Sequence, residues 1–389
     1  VEGAVETGSG ANMALINSAL DTTAIASANV DTLEKVQALV DAAAKVVALA
    51  GDTAAPRLVA GDLTKLGVDL TSLASGNTKA NAIALINDLL VADATAQTSV
   101  GDIQTKADAL GALIDDVVQT TPAALAITTS DLEALGFNAT SPSLLNGDGS
   151  AASTDITASN LQAIRLALSA TADDLSDLAS LSDLQTLVND TAKAANKIEN
   201  YAETASASTP TSAALIPDVA DFEAIGATGV TTANLDFVLS ALADDDVLSS
   251  ITEINADIQG LVDVVLKLEH LADGVDNVLE EGDSATTGFE ATSAKLTAAE
   301  LQALGINLVT DTDTQSAQVA MLGDFLDLAD AQSLADIASI QTQADAIADV
   351  LANMALDSTV AHSYTTTDGS DGDGVSMASL QALGFTQVS

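Results

Sequence analysis

The stretch "TAAELQALGINLVTD", residues 297–311, decides how this chain folds. Thr297 and Glu300 have the spacing of a capping box, in which the threonine oxygen accepts a backbone N–H and the glutamate reaches back to the start of the helix. Leu301 and Leu304 recur at i, i+3, so they share one helix face. Gly305 stands where a helix wants a left-handed residue just past its end. The stretch predicts a short capped helix closed by glycine. The residues after it, "INLVTD", are apolar and alternating, and read as a brief strand or an extended segment.

The same phrase recurs as "DLTKLGVD" (62–69), "DLEALGFN" (131–138), "DFEAIGAT" (221–228) and "SLQALGFT" (379–386). Thr128 with Asp131 and Asp218 with Asp221 repeat the capping spacing. The glycines fall at 67, 136, 226, 305 and 384, which are 69, 90, 79 and 79 residues apart. A period of this size with variable insertions is a supersecondary module larger than the common helical repeats.

Two longer helices are predicted after each of the first four phrases. The first of each pair lies at 81–90, 160–175, 234–243 and 318–329, the second at 103–118, 184–203, 254–272 and 340–356. The second helices open on an apolar residue followed by Gln104, Gln185, Asn255 or Gln341. Ile254, Ile258, Leu261, Val262, Val265 and Leu268 form a stripe at helical spacing, the mark of one buried face. "NMALINSAL" (12–20) and "VQALVDAAAKVVALA" (36–50), with Gln37, match a helix pair with no phrase before it. The expected fold is all-α: a linear tandem array of helix-pair modules, each with a short capped helix and a brief extended segment. The divisions fall at 1–56 (a pair alone), 57–122, 123–210, 211–283, 284–358 and 359–389 (a phrase alone).

Composition narrows the function. Against 56 Asp and Glu there are 11 Lys and Arg, a formal charge of −45. Nucleic-acid binding needs a basic face, and so does docking on anionic lipid. Yet 48% of the residues are hydrophobic, far more than an acidic disordered chain carries. Packed, alanine-rich helices follow. No apolar run is long enough to cross a membrane. Cysteine is absent, which removes disulfides and thiolate chemistry and suits a secreted bacterial protein. The chain begins at Val1, as a processed chain or a fragment does.

No catalytic constellation stands out, and the chain does not read as an enzyme. His270 and His362 match no zinc spacing and read as structural. The loop "TDGSDGDGVS" (367–376) sets Asp368, Asp371 and Asp373 among glycines, hard oxygen ligands of the kind calcium takes. It departs from the EF-hand spacing, and an ordinary Asp/Gly turn is the other reading. "NGDGS" (146–150) and "TDTD" (310–313) are weaker echoes.

The segment "PDVADFEAIGATGVTTANLDFVLSAL" (217–242) resembles the helical tandem repeats of very large bacterial cell-surface and adhesin-like proteins. Pro217, Asp221, Phe222, Gly226, Gly229, Val230, Thr231, Asn234 and Leu235 carry the likeness. The resemblance implies an exported structural or adhesive protein at the cell surface. Taken with the unmatched phrase and unmatched pair, it leads to one expectation: an extracellular subunit that polymerises head to tail into a filament or surface layer. Leu380, Leu383, Gly384 and Phe385 of one copy would complete Met13, Leu15, Ile16 and Leu20 of the next. The expected partners are the chain itself and other surface components, with no nucleic acid and no membrane insertion. A piece of a long monomeric adhesin stalk is the alternative. The apolar side of each phrase, including Leu380, Leu383 and Phe385, is expected to be buried.

Overall fold

A computed structural model of the chain describes residues 10–95, 97–118, 126–139, 142–171, 175–205, 212–243, 254–271, 296–327, 336–354 and 375–385. Among these the fold is all-helical. In chain order the α-helices are α1 (Gly10–Leu20), α2 (Leu33–Leu49), α3 (Ala60–Lys65), α4 (Gly76–Ala92), α5 (Val100–Val118), α6 (Thr129–Ala134), α7 (Leu161–Ser169), α8 (Leu181–Ala205), α9 (Val219–Ala224), α10 (Leu235–Leu242), α11 (Ile254–Leu271), α12 (Ala298–Ala303), α13 (Thr312–Asp327), α14 (Ile337–Met354) and α15 (Met377–Ala382). The segments after the phrases form no strand among the described residues. The one β-type pairing there is an isolated bridge between Leu145 and Ala152.

The five short helices are the five phrases; four begin on a side-chain cap, while α3 begins on Val59, whose N–H donates to the Asp62 carboxylate at 3.2 Å. Thr297 Oγ1 accepts from the Glu300 N–H at 3.2 Å, and Glu300 Oε2 accepts from the Thr297 N–H at 2.7 Å. Thr128 and Asp131 make the same reciprocal pair at 3.2 and 2.8 Å. Asp218 and Asp221 do so at 3.2 and 2.8 Å. Ser376 caps α15 by accepting from the Ser379 N–H at 2.9 Å.

At the other end the phrase glycines have φ between 79° and 91°. That is left-handed backbone, which costs glycine nothing. The turn lets the next residue donate back to the third carbonyl from the helix end: Val68 to Leu63, Phe137 to Leu132, Ala227 to Phe222, Ile306 to Leu301 and Phe385 to Leu380, at 3.0–3.1 Å. This is the backbone bond of the Schellman closure.

The long helices bury the stripes their sequences predict. Ile254, Ile258, Leu261, Val262, Val265 and Leu268 of α11 are all buried. Gly111 of α5 lets that helix pass close to a 3₁₀ turn at Thr71–Leu73, since a Cβ there would meet Ser72 Cβ at 2.7 Å. The chain divides into two compact units. One comprises Val1–Lys197 with Ala224–Gly226, the other Ile198–Glu223 with Ala227–Ser389, and the division falls inside α8. In the first, Leu15, Ala19, Val46, Leu49, Leu63, Leu66, Leu85 and Ile86 lie in one continuous core.

Candidate assembly surface

On three long helices a glutamine grips a phrase residue more than thirty positions earlier in the chain. On α5, Gln104 accepts the Asp69 N–H at 2.7 Å and donates to the Asp69 carbonyl at 3.1 Å. Gln259 of α11 treats Thr228 the same way, at 2.7 and 3.2 Å. Gln341 of α14 treats Asn307 the same way, at 2.7 and 3.1 Å. The gripped residue stands two places past the phrase glycine every time. An aspartate four residues on accepts the remaining amide N–H: Asp108 at 2.8 Å, Asp263 at 2.6 Å and Asp345 at 2.7 Å. That carboxylate, an acceptor only, fixes which way the amide points. Gln104 and Gln341 are the residues read from sequence as opening their helices. On α11 the working residue is Gln259, one turn beyond Asn255. Gln185 of α8 is exposed. Next to α8 the residue past the glycine, Asn138, is engaged instead by the Ile156 N–H at 2.9 Å. Asn196 of α8 ties that longer connection together, donating to the Ser153 carbonyl at 3.0 Å and accepting from Asn160 at 2.9 Å.

Four long helices, α2, α5, α11 and α14, also hold the phrase that follows them or the residues leading into it. Lys45 of α2 reaches Asp62 at 2.9 Å, and Lys267 of α11 reaches Glu300 at 2.8 Å. Asp349 of α14 accepts the Ser376 N–H at 3.0 Å and the Ser379 hydroxyl at 2.6 Å. On α5 the role falls to Asp116, which accepts the N–H groups of Ala126 and Ile127. Lys45, Lys267 and Asp349 each lie eight residues past Gln37, Gln259 and Gln341. On α11 and α14 one helix thus holds one phrase with its glutamine and the next two turns further on.

These carboxylates titrate differently. Burial alone would raise Asp62, but the Lys45 ammonium, the Val59 N–H and the Lys65 charge outweigh it and hold the carboxyl below its usual range. Glu300 is also lowered: burial opposes, while Lys267 and the N–H and hydroxyl of Thr297 prevail. Asp116 is raised, because burial exceeds the help of the Ala126 and Ile127 N–H groups and Arg165. A lowered folded pKa gives stability that is present above the unfolded value and lost as pH falls through the folded one. Asp116 has the opposite sign, favouring the folded state as it protonates. Asp62→Asn is therefore expected to flatten the acid limb of a stability–pH curve, and Asp116→Asn to steepen it. Urea unfolding from pH 7 to pH 3 checks both.

The first and last parts of the described chain lack such coverage. Leu132, Leu135 and Phe137 are buried as expected, with Phe137 8% exposed. Their counterparts in the last phrase are not. Leu380 and Leu383 are half-buried, and Phe385 is 56% exposed. The expectation of burial for these three is not met among the described residues, where α15 rests on α14. Gly384 is exposed beside them. At the N-terminal pair, Met13 and Leu20 are exposed. Leu15 and Ile16, also read as interface residues, are buried among their own unit's side chains.

A further recurring contact joins helices. The first N–H of a helix has no partner inside that helix. The Val100 N–H of α5 donates to Ser18 of α1 at 3.0 Å, and that of Leu181, opening α8, to Asp88 of α4 at 3.3 Å. The Ile337 N–H of α14 donates to Ser240 of α10 at 3.2 Å. Val100, Leu181 and Ile337 are themselves buried. Leu33, which opens α2, is 82% exposed, a feature the sequence reading passed over.

Asp368, Asp371 and Asp373, the candidate calcium ligands, lie outside the described residues, as does His362. Among described residues no cluster of His, Asp and Glu is arranged to hold a metal. Asp148 and Asp311, in the weaker echoes, accept from the N–H and hydroxyl of Ser150 and Thr314 and so close turns. No described helix is long and apolar enough to cross a membrane. No family model, no curated protein and no solved structure matches the chain.

Proposed function

We propose that the chain is an extracellular structural subunit that assembles head to tail into a filament or surface layer. Its helices are taken as a tandem array of pairs, the later ones each led by a capped phrase, with a glutamine of α5, α11 and α14 gripping the phrase before. The observation that carries this reading is the contrast between Phe385, open to solvent, and the enclosed Phe137. The last phrase, held on one side by Asp349, presents a preformed apolar side. The first pair exposes Met13, Leu20 and Leu33, which complements it. Head-to-tail contact of this kind is heterologous and propagates unless rotation closes a ring.

Magnitudes limit the junction. Fully burying Leu380, Leu383 and Phe385 gives about 1.5–3 kcal/mol each, less what is already covered. Association costs an estimated ~4–15 kcal/mol. Met13, Leu20, Leu33 and polar grips must therefore contribute. Each subunit brings −45, and such charges repel over about 8–10 Å at physiological salt. Calcium or other divalent ions would lessen that repulsion. The acidic, cysteine-free composition and the likeness of 217–242 to surface repeats support an extracellular location.

The test is sedimentation of purified full chain across concentration, with electron microscopy of the pellet. Polymers are expected, favoured by added salt and weakened by a chelator at low ionic strength. A chain that stays monomeric throughout would instead be a stretch of a stalk.

A further inference from the structure

Separately from the head-to-tail reading, we infer that the groove on α13 beside Asp324 is a docking site for the opening turn of an α-helix on another polypeptide. That helix begins with an apolar residue, carries a second apolar residue three places on, and then a glutamine.

The acceptor is identified by the contacts inside the chain. Four first helices carry one five-residue pattern: "INSAL" (16–20), "INDLL" (86–90), "VLSAL" (238–242) and "LGDFL" (322–326). The middle residue offers a side-chain oxygen each time. Ser18, Asp88 and Ser240 use it to accept the opening N–H of a later helix. Asp324 is exposed and accepts no such N–H among the described residues. The surroundings match as well. The groove beside Asp88 is lined by Leu58, Val59, Ile83 and Ala84. The groove beside Asp324 is lined by Leu296, Thr297, Val319 and Ala320, the same places in its own phrase and helix. At Gly323, where α4 has Asn87, an added Cβ would meet nothing within 4 Å.

The occupant is identified by what the other three acceptors hold. Their helices open "VGDIQ" (100–104), "LSDLQ" (181–185) and "IASIQ" (337–341). Val100, Leu181 and Ile337 are buried, and Ile103, Leu184 and Ile340 are fully so. The place beside the oxygen therefore takes an apolar first residue with another apolar residue one turn on. Charge agrees with this. The opening N–H groups of a helix lack partners within it and form its positive end. Asp324 presents a carboxylate to that end, and hydrogen bonds to an ionised acceptor are the stronger kind.

The probe is a fluorescent peptide of residues 180–203, which carries the "LSDLQ" opening, titrated with the full chain and read by anisotropy. In the chain that opening already sits on Asp88, so the peptide is directed to Asp324. Saturable binding is expected. Asp324→Ala should weaken it at least about tenfold, the worth of one charge-assisted hydrogen bond. Asp324→Ser should bind nearly as the parent does, since serine fills this role at Ser18 and Ser240. Asp88→Ala should leave the affinity unchanged, and a peptide carrying Leu181→Asp should not bind. The urea midpoint of Asp324→Ala should equal that of the parent, because the side chain is exposed. A peptide that fails to bind overturns the site. So does equal binding to Asp324→Ala, or equal binding of the Leu181→Asp peptide. A lowered midpoint for Asp324→Ala would mean that Asp324 serves its own fold, and the inference fails. None of these measurements involves Phe385, so the head-to-tail proposal stands or falls on its own variants.

Discussion

Replacing Phe385 by aspartate is expected to leave the chain folded and to keep it monomeric. More than half of this ring is open to solvent, so the substitution removes little from the single chain's core. In a junction built like the internal ones, the same position is enclosed: Val68, Phe137, Ala227 and Ile306 are all buried. An aspartate there would bury an unpaired charge, among the costliest changes a packed contact can suffer. We expect the half-assembly concentration to rise by at least about a hundredfold. Deleting 376–389 should do the same while the preceding helices keep their circular dichroism. Sedimentation velocity of both variants settles the matter, and polymers that persist unchanged would end the head-to-tail proposal.

Leu135→Ala is expected to cost roughly 2–5 kcal/mol of folding free energy, the range for a leucine removed from a core that cannot close the gap. Leu135 is 1% exposed and joins the continuous core of the first unit. The helix it ends, α6, is too short to persist alone; it exists because its leucines are buried. Leu383 holds the same place in the last phrase but is only half-buried, so Leu383→Ala should cost much less in the monomer. Urea denaturation of the two variants in parallel measures the difference. A Leu135→Ala cost below about 0.5 kcal/mol, typical of surface positions, would mean that the phrase packs by another face.

The short capped helices were legible in the sequence because everything that makes them acts within a few residues. Thr297 and Glu300 satisfy each other, and Gly305 supplies a backbone that other residues resist. The α11 stripe was legible for a similar reason: helical spacing alone puts Ile254, Ile258 and Leu261 on one side. These signals together specify an all-helical chain.

What lay beyond the sequence was which distant residues meet. Asn255 looked like the counterpart of Gln341, yet Gln259 makes the grip, because the rotation of α11 against its neighbours, not its place in the opening turn, decides which amide faces Thr228. Leu15 and Ile16 looked available beside Met13 and Leu20. On a helix, neighbours in sequence point in different directions, and only the packing of α1 determined which of them face inward. The exposure of Leu33 and Phe385 follows from the same cause. Capping and helical period are local and can be read along the chain. Burial and grips across thirty residues depend on how helices stack, and the tertiary structure alone decides them.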